Sequence, residues 1–133
     1  MNDHNDEHGH DNPLVRDHFL NPRNVGDMAD ADGVGEVGAV SCGDVMRISI
    51  RVREGRVVEA RFRTFGCGTA IAASSVATEL IRGRAVDEVQ RFSNEEVSAA
   101  LGGLPPAKSH CPILAEDAVR AAVEDYVRRQ TRP

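Results

Sequence analysis

The chain has 133 residues, 41% of them hydrophobic and 28% charged, with 12 glycines, 3 cysteines and a formal charge of -5. That length suits a single domain, and no apolar run approaches the roughly 18 residues a membrane-spanning helix needs. Asp3, Asp6, Glu7 and Asp11 place four of the 21 acids in the first twelve residues, so that 17 acids face all 16 bases over the rest. Such a balance removes the electrostatic case for a nucleic-acid binder.

Residues 1–12 are polar, aperiodic and rich in acids and histidines, and are expected to form a disordered tail. They lack the basic and apolar stretches of a signal or transit peptide, which points to a cytoplasmic protein. The folded domain is expected over 13–130. Pro13 opens a short helix over 13–20, stopped by Asn21-Pro22, and a glycine-rich connector follows through Asp32-Gly33-Val34-Gly35. A first strand is expected around 36–40. Over 45–53, Met46, Ile48, Ile50 and Val52 alternate with Arg47, Ser49, Arg51 and Arg53, the pattern of a half-buried strand. Glu54-Gly55 supplies a tight turn, and Val58, Ala60 and Phe62 form the inward face of the returning strand.

Beyond Gly68 the pattern turns helical. Helices are expected over 70–81, ended by Gly83, over 86–91, and over 94–101, the last opened by a Ser93/Glu96 capping box and closed by Gly102-Gly103. A final helix starts near Pro112 with Ala115, Val119, Ala122 or Val123, and Tyr126 as its apolar stripe. The fold class is therefore α+β, a three-stranded antiparallel sheet with helices packed on one face.

An odd number of cysteines in a reducing compartment argues for thiols that are buried, metal-binding or reactive rather than bridged. Cys42, Cys67 and Cys111 each sit at an element boundary: after the first strand, after the third, and at the start of the last helix. Spacings of 25 and 44 residues are unlike the paired knuckles of a small zinc fold, so a metal held here would be cargo on a domain with its own core. Glycines on both sides of Cys67 suit either a tight turn over a buried thiol or the close approach of a metal group. Cys111, just before Pro112, is expected at a helix N-terminus, where the dipole and unpaired amides favour a thiolate. His110 beside it suits a ligand or a proton partner. Asp44 adds a hard oxygen donor to soft thiolates, a mixture suited to labile rather than permanent iron-sulfur ligation.

Asn21-Pro22-Arg23-Asn24-Val25-Gly26, Cys42-Gly43-Asp44-Val45-Met46, Phe65-Gly66-Cys67-Gly68-Thr69-Ala70-Ile71-Ala72 and Leu104-Pro105-Pro106-Ala107-Lys108-Ser109-His110-Cys111 resemble, in order, the signature segments of the IscU/NifU-type iron-sulfur cluster assembly scaffolds. The resemblance runs from about Leu14 to Tyr126. It implies a non-enzymatic scaffold on which sulfur from a cysteine desulfurase and iron form a transient [2Fe-2S] cluster that passes to apo-proteins. Cys42, Asp44, Cys67, His110 and Cys111 match the family's metal and cluster ligands, and Cys111 its persulfide acceptor. Leu104, Pro105, Pro106, Ala107 and Lys108 match the segment engaged by an Hsp70-type chaperone and its J-type co-chaperone.

The resemblance further implies a ferredoxin or other electron donor as partner, a monomer or weak homodimer, and zinc as an occupant of the cluster-free form. Gly102-Gly103 before Leu-Pro-Pro-Ala-Lys is similar to the nitrogen-fixation branch, and Pro112 replaces the small polar residue expected after the last cysteine. A zinc-dependent sulfurtransferase partnering a desulfurase is the second reading, although His110 and the lack of an insertion between Cys67 and Cys111 separate this chain from that branch. A purely structural zinc domain is the third.

Physically, the two prolines favour an extended strip poor in hydrogen bonds, and Lys108 is the chain's only lysine. Arg47, Arg51, Arg53, Arg61 and Arg63 make a basic sheet face, read as solvated in preference to a dock for an acidic partner. His4, His8 and His10 are read as a solvated tail, with weak metal chelation as the alternative.

Overall fold

The computed structural model describes residues 12–39 and 43–131. Its elements are α1 (Pro13–Leu20), β1 (Gly33–Ala39), β2 (Asp44–Arg53), β3 (Arg56–Phe65), α2 (Gly68–Ile81), α3 (Val86–Val89), α4 (Asn94–Ala100), a 3-10 turn (Pro106–Lys108) and α5 (His110–Gln130). The strands form one antiparallel sheet in the order β1-β2-β3. Met46, Ile48, Ile50 and Val52 on one face of β2 are buried beneath α2 and α5, so the helices cover a single face as expected. Burying an aliphatic side chain of this size contributes about 1.5–3 kcal/mol, and these residues form the centre of the core.

The tail assigned to residues 1–12 lies outside the described residues except at its last position. Asn12 caps α1: its side-chain oxygen accepts from the Leu14 and Val15 amides at 2.9 and 3.3 Å, and its amide group donates to the Leu101 carbonyl at 2.7 Å. Asn12 therefore belongs with the folded domain and not with the tail to which it was assigned.

The glycines placed in a connector belong instead to β1. A Cβ on Gly33 would collide with the carbonyl of Ala122, and one on Gly35 with backbone atoms of Ala118, Ala121 and Ala122. Glycine stands here because α5 lies directly on the strand backbone, a packing reason that outweighs glycine's weak strand preference.

The β2–β3 turn is as expected, Glu54 and Gly55 both having positive φ, as primed two-residue hairpin turns require. The returning strand departs from simple alternation. Arg51 pairs with Glu59 but Val52 pairs with Val57, so a β-bulge leaves Val58 unpaired. Val57 takes the buried place and Val58, expected inward, is exposed.

The opposite sheet face is not a bare basic surface. Arg47 pairs with Glu36 and Asp27, Arg51 and Arg61 with Glu59, Arg63 with Asp27, and Arg53 with Asp32. Arg51 also donates to the carbonyls of Ala29 and Asp30. Ser49, expected outward, is buried on this face.

The later helices follow the pattern closely. Both hydrogen bonds of the Ser93/Glu96 capping box are present, and α4 ends at Ala100 before Leu101 and the positive-φ pair Gly102-Gly103. The third helical segment is shorter than expected, Val86–Val89, with residues 90 and 91 in a turn. Among the described residues no helix is long and apolar enough to cross a membrane.

Candidate functional site

Three chain segments meet at one end of the sheet. Ala39 and Asp44 are register partners, so the connection carrying Cys42 starts and finishes at that pair. β3 delivers Phe65 beside Val45, and the chain turns through Gly66 into α2. The 3-10 turn runs into α5 and brings His110 and Cys111 to the same place.

Cys67 is the N-cap residue of α2, with φ -75° and ψ 170°. Its Sγ lies 3.9 Å from Cys111 Sγ, which lies 3.6 Å from His110 Nε2, and that nitrogen lies 3.3 Å from Asp44 Oδ2. Gly66 makes room for the carboxylate, since a Cβ there would collide with Asp44 Oδ1. Cys67, Cys111, His110 and Asp44 thus form a continuous chain of contacts. Among the described residues no three such donors are arranged to hold one metal ion; the side chains partner one another instead. Cys42, the remaining thiol of the expected set, lies outside the described residues, as do His4, His8 and His10.

The two thiols differ in exposure and in charge. Cys67 is half-buried and Cys111 fully buried. The hydrogen bond from Cys111 holds the Cys67 thiol down at about 5, against the cost of burial, with help from the Ala70 and Thr69 amides at the start of α2 and from the Lys108 charge. The same hydrogen bond, burial and the Cys67 and Asp44 charges push the Cys111 thiol up. Both thiols stand at helix starts, and the half-buried Cys67 is the better placed of the two to hold the charge, because the fully buried Cys111 favours its neutral form. The pair holds one proton because two neighbouring thiolates repel.

α5 also begins earlier than expected, at His110, and runs on directly from the turn because Ser109 is already helical. Pro112 is its third residue, where a missing amide breaks no intrahelical bond. Leu104, Pro105, Pro106, Ala107 and Lys108 do not form an extended strip. Leu104 and Pro105 lead into a 3-10 turn in which the Lys108 amide donates to Pro105 and that of Ser109 to Pro106, at 2.9 and 3.2 Å. This turn brings Lys108 close enough to act on both thiols, a role its place in the motif did not suggest.

Sequence reasoning also missed the apolar rim. Phe65 is 67% and Phe19 45% exposed, and the Phe19 ring lies over Gly68, where a Cβ would stand 3.2 Å from it. Phe65 puts an aromatic ring on the outward face of β3, at the position after Arg61 and Arg63 in the alternation and two residues before Cys67, the one local sign that it serves something other than the core. The buried anchor of α1 was missed as well: His18 Nδ1 lies 2.8 Å from Ser75 Oγ, which accepts the Arg23 amide at 2.9 Å.

The sequence profile of the NifU-like N terminal domain matches residues 10–133, taking in every element and every member of the contact chain. The chain belongs to that family. A relative from Archaeoglobus fulgidus, named iron-sulfur cluster assembly scaffold protein IscU 1, is 52% identical over 115 residues, covering 86% of this chain and 75% of the relative. The scaffold protein IscU of Azotobacter vinelandii is 52% identical over 120 residues, covering 87% and 93%. The crystal structure of a nitrogen-fixing NifU-like protein (N-terminal) from Brucella abortus superposes with a TM-score of 0.70 over 89% of this chain and 94% of that one, at 20% identity, which speaks to the fold of the NifU-like domain.

Proposed function

We propose that this chain is an iron-sulfur cluster assembly scaffold, on which iron and desulfurase-derived sulfur are combined into a [2Fe-2S] cluster for transfer to apo-proteins. The carrying observation is the meeting of Cys67, Cys111, His110 and Asp44 at one end of the sheet, beside the connection that bears Cys42. Family membership and relatives named as scaffolds support the same reading.

The cluster is cargo. Cys42, Cys67 and Cys111 supply soft thiolates, and Asp44 or His110 completes the set with a harder donor, so that ligation is one thiolate short of the usual permanent arrangement. Sulfur arrives as a persulfide, with Cys111 as its acceptor. Two sulfane sulfurs take up four electrons on becoming sulfide; two ferrous ions turning ferric supply two of them. A ferredoxin-class donor supplies the remainder. The scaffold itself turns nothing over, and zinc competes for the same thiolates in the absence of the cluster.

The turn at Leu104, Pro105, Pro106, Ala107 and Lys108 is the site for the Hsp70-type chaperone and its J-type co-chaperone. Pro106 and Ala107 are exposed there, and neither proline can donate a backbone hydrogen bond. A reducing cytoplasm suits thiols that must stay free.

Anaerobic incubation with iron, cysteine and a desulfurase is expected to produce visible iron-sulfur absorption that is lost in Cys42→Ala, Cys67→Ala and Cys111→Ala. An unchanged spectrum in all three rejects the proposal. Stoichiometric zinc and desulfurase stimulation without any cluster would favour a zinc-dependent sulfurtransferase. Asp44→Ala is expected to slow release of the cluster to an apo-ferredoxin; equal or faster release counts against Asp44 as the labile ligand.

A further inference from the structure

Glycines stand beside two of the cysteines, at 43, 66 and 68, and each is there for a different reason. Gly43 has a φ of +86° and open space where a Cβ would be, so its conformation requires glycine. At Gly68 a Cβ would stand 3.2 Å from the Phe19 ring. Gly66 has neither a positive φ nor a neighbouring ring. A Cβ there would collide with Asp44 Oδ1, 3.2 Å from Asp44 Cγ and 3.4 Å from the Ala70 methyl.

These neighbours yield unequally. Ala70 is fully buried in α2. The Asp44 backbone is held by its pairing with Ala39 and by Gly38, where a Cβ would collide with the Asp44 carbonyl. Only the Asp44 side chain is free to turn. A methyl at residue 66 is therefore accommodated by rotation of the carboxylate, which has to withdraw by roughly 1 Å to reach ordinary carbon–oxygen contact. That movement breaks the 3.3 Å contact of Asp44 Oδ2 with His110 Nε2 and takes the oxygen donor out of the chain of contacts. Asp44, its side chain 18% exposed, thus occupies a close-fitting seat of which Gly66 forms one wall.

We propose that Gly66 is a positioning residue: the absence of a Cβ there seats the Asp44 carboxylate beside His110, and through that seat sets how fast cargo leaves the site. The inference rests on the scaffold reading with Asp44 as the labile donor, and adds the residue that holds that donor in place. Gly66 acts through Asp44, so its effect exists only while residue 44 carries a carboxylate. A structural glycine behaves otherwise. Gly33 and Gly35 exclude a Cβ because helix backbone stands in the way, and replacing either strains the fold itself.

The test compares the full-length wild type, Gly66→Ala, Asp44→Ala and the double variant. Urea denaturation of Gly66→Ala is expected to give a midpoint within about 0.3 M of the wild type, because a flexible side chain gives way. A crystal structure of cluster-free Gly66→Ala is expected to show the Asp44 carboxylate displaced and its contact with His110 gone. Release of an assembled cluster to an apo-ferredoxin is expected to slow in Gly66→Ala to within about twofold of the Asp44→Ala rate, with no further slowing in the double variant; independent residues would add their effects instead.

A midpoint lowered by about 1 M or more makes Gly66 a structural glycine and overturns the proposal, as does a carboxylate still beside His110 in the variant structure. Wild-type release in Gly66→Ala while Asp44→Ala is slow overturns it too, and so does further slowing in the double variant. Each of these leaves the scaffold reading standing. Unchanged release in both single variants removes Asp44 as the labile donor and the role of Gly66 in release with it. Failure of the wild type to assemble any cluster removes the scaffold reading itself, while the variant structure still decides whether Gly66 seats the carboxylate.

Discussion

Along α5, the stretch 118–122 and the first turn at His110 and Cys111 meet the rest of the molecule in opposite ways. At the first, helix backbone lies against the backbone of Gly33 and Gly35, leaving no space for a single added carbon. At the second, side chains touch at 3.3–3.9 Å in contacts that each partner can exchange for another. A protein that must take up and release cargo needs both: a frame that fixes where the helix starts, and donors at that start whose mutual contacts are weak enough to be replaced.

The seam breaks most severely. Gly35→Ala is expected to cost about 3 kcal/mol, the upper end for overpacking, because the collision is with helix backbone that cannot rotate away. Urea denaturation should show a lower midpoint; a loss below about 1 kcal/mol would mean that α5 lifts easily and that the seam is no frame.

The donor end is sharpened by thiol chemistry. Iodoacetamide at pH 7 is expected to modify Cys67 about tenfold faster than Cys111, because Cys67 is both the better placed to hold the charge and the more exposed partner. Its rate should stay nearly constant down to the neighbourhood of pH 5 and fall below it. Faster modification of Cys111 would reverse the assignment of charge within the pair.

Smaller effects come from the elements that brace these two regions. α4 packs against α5, and its Asn94 amide donates to Glu116 Oε1 at 2.7 Å. Removing the cap in Ser93→Ala is expected to cost about 1 kcal/mol. A change under a few tenths would mean that the Glu116 contact alone holds the helix start.

α1 is held to α2 by the His18–Ser75 hydrogen bond, and burial, followed by the Arg23 charge, lowers the His18 value below the ordinary 6.5. The unfolded chain therefore binds the proton more readily, so this contribution to stability is complete above 6.5 and is lost as pH falls from there towards the lowered value. The melting temperature should drop more between pH 7 and pH 5 in the wild type than in His18→Gln. Equal drops would assign the pH dependence to other groups.

Least of all is expected from the polar sheet face. Arg63→Ala removes an exposed pair with Asp27 and should change stability by less than about 0.5 kcal/mol. A larger loss would make that face part of the frame.

Much of this arrangement was legible in the order of residues. Period-two alternation in β2, the Glu54-Gly55 turn and the Ser93/Glu96 cap are governed by neighbours within a few positions, where local sterics and hydrogen bonding decide the outcome. The site residues were legible for another reason, since a thiol, an imidazole and a carboxylate at element boundaries are conspicuous wherever they stand. Gly33 and Gly35 looked like a connector because what forbids their side chains is a helix about ninety residues further on. Val58 looked inward because a bulge is a property of two strands paired, and the shift occurs against Arg51 and Val52.

The charge within the thiol pair shows the same division. Chemical identity marked both Cys67 and Cys111 as possible donors, and the expected helix-end position marked Cys111 alone as a thiolate. Which of them holds the proton depends on their 3.9 Å separation, the unequal burial of the two sulfurs and the approach of Lys108 on its turn. Local residue patterns determined the strands, caps and available donors, whereas folding decided the close approaches and the difference between the thiols, because charge and steric exclusion act through space between residues far apart in the chain.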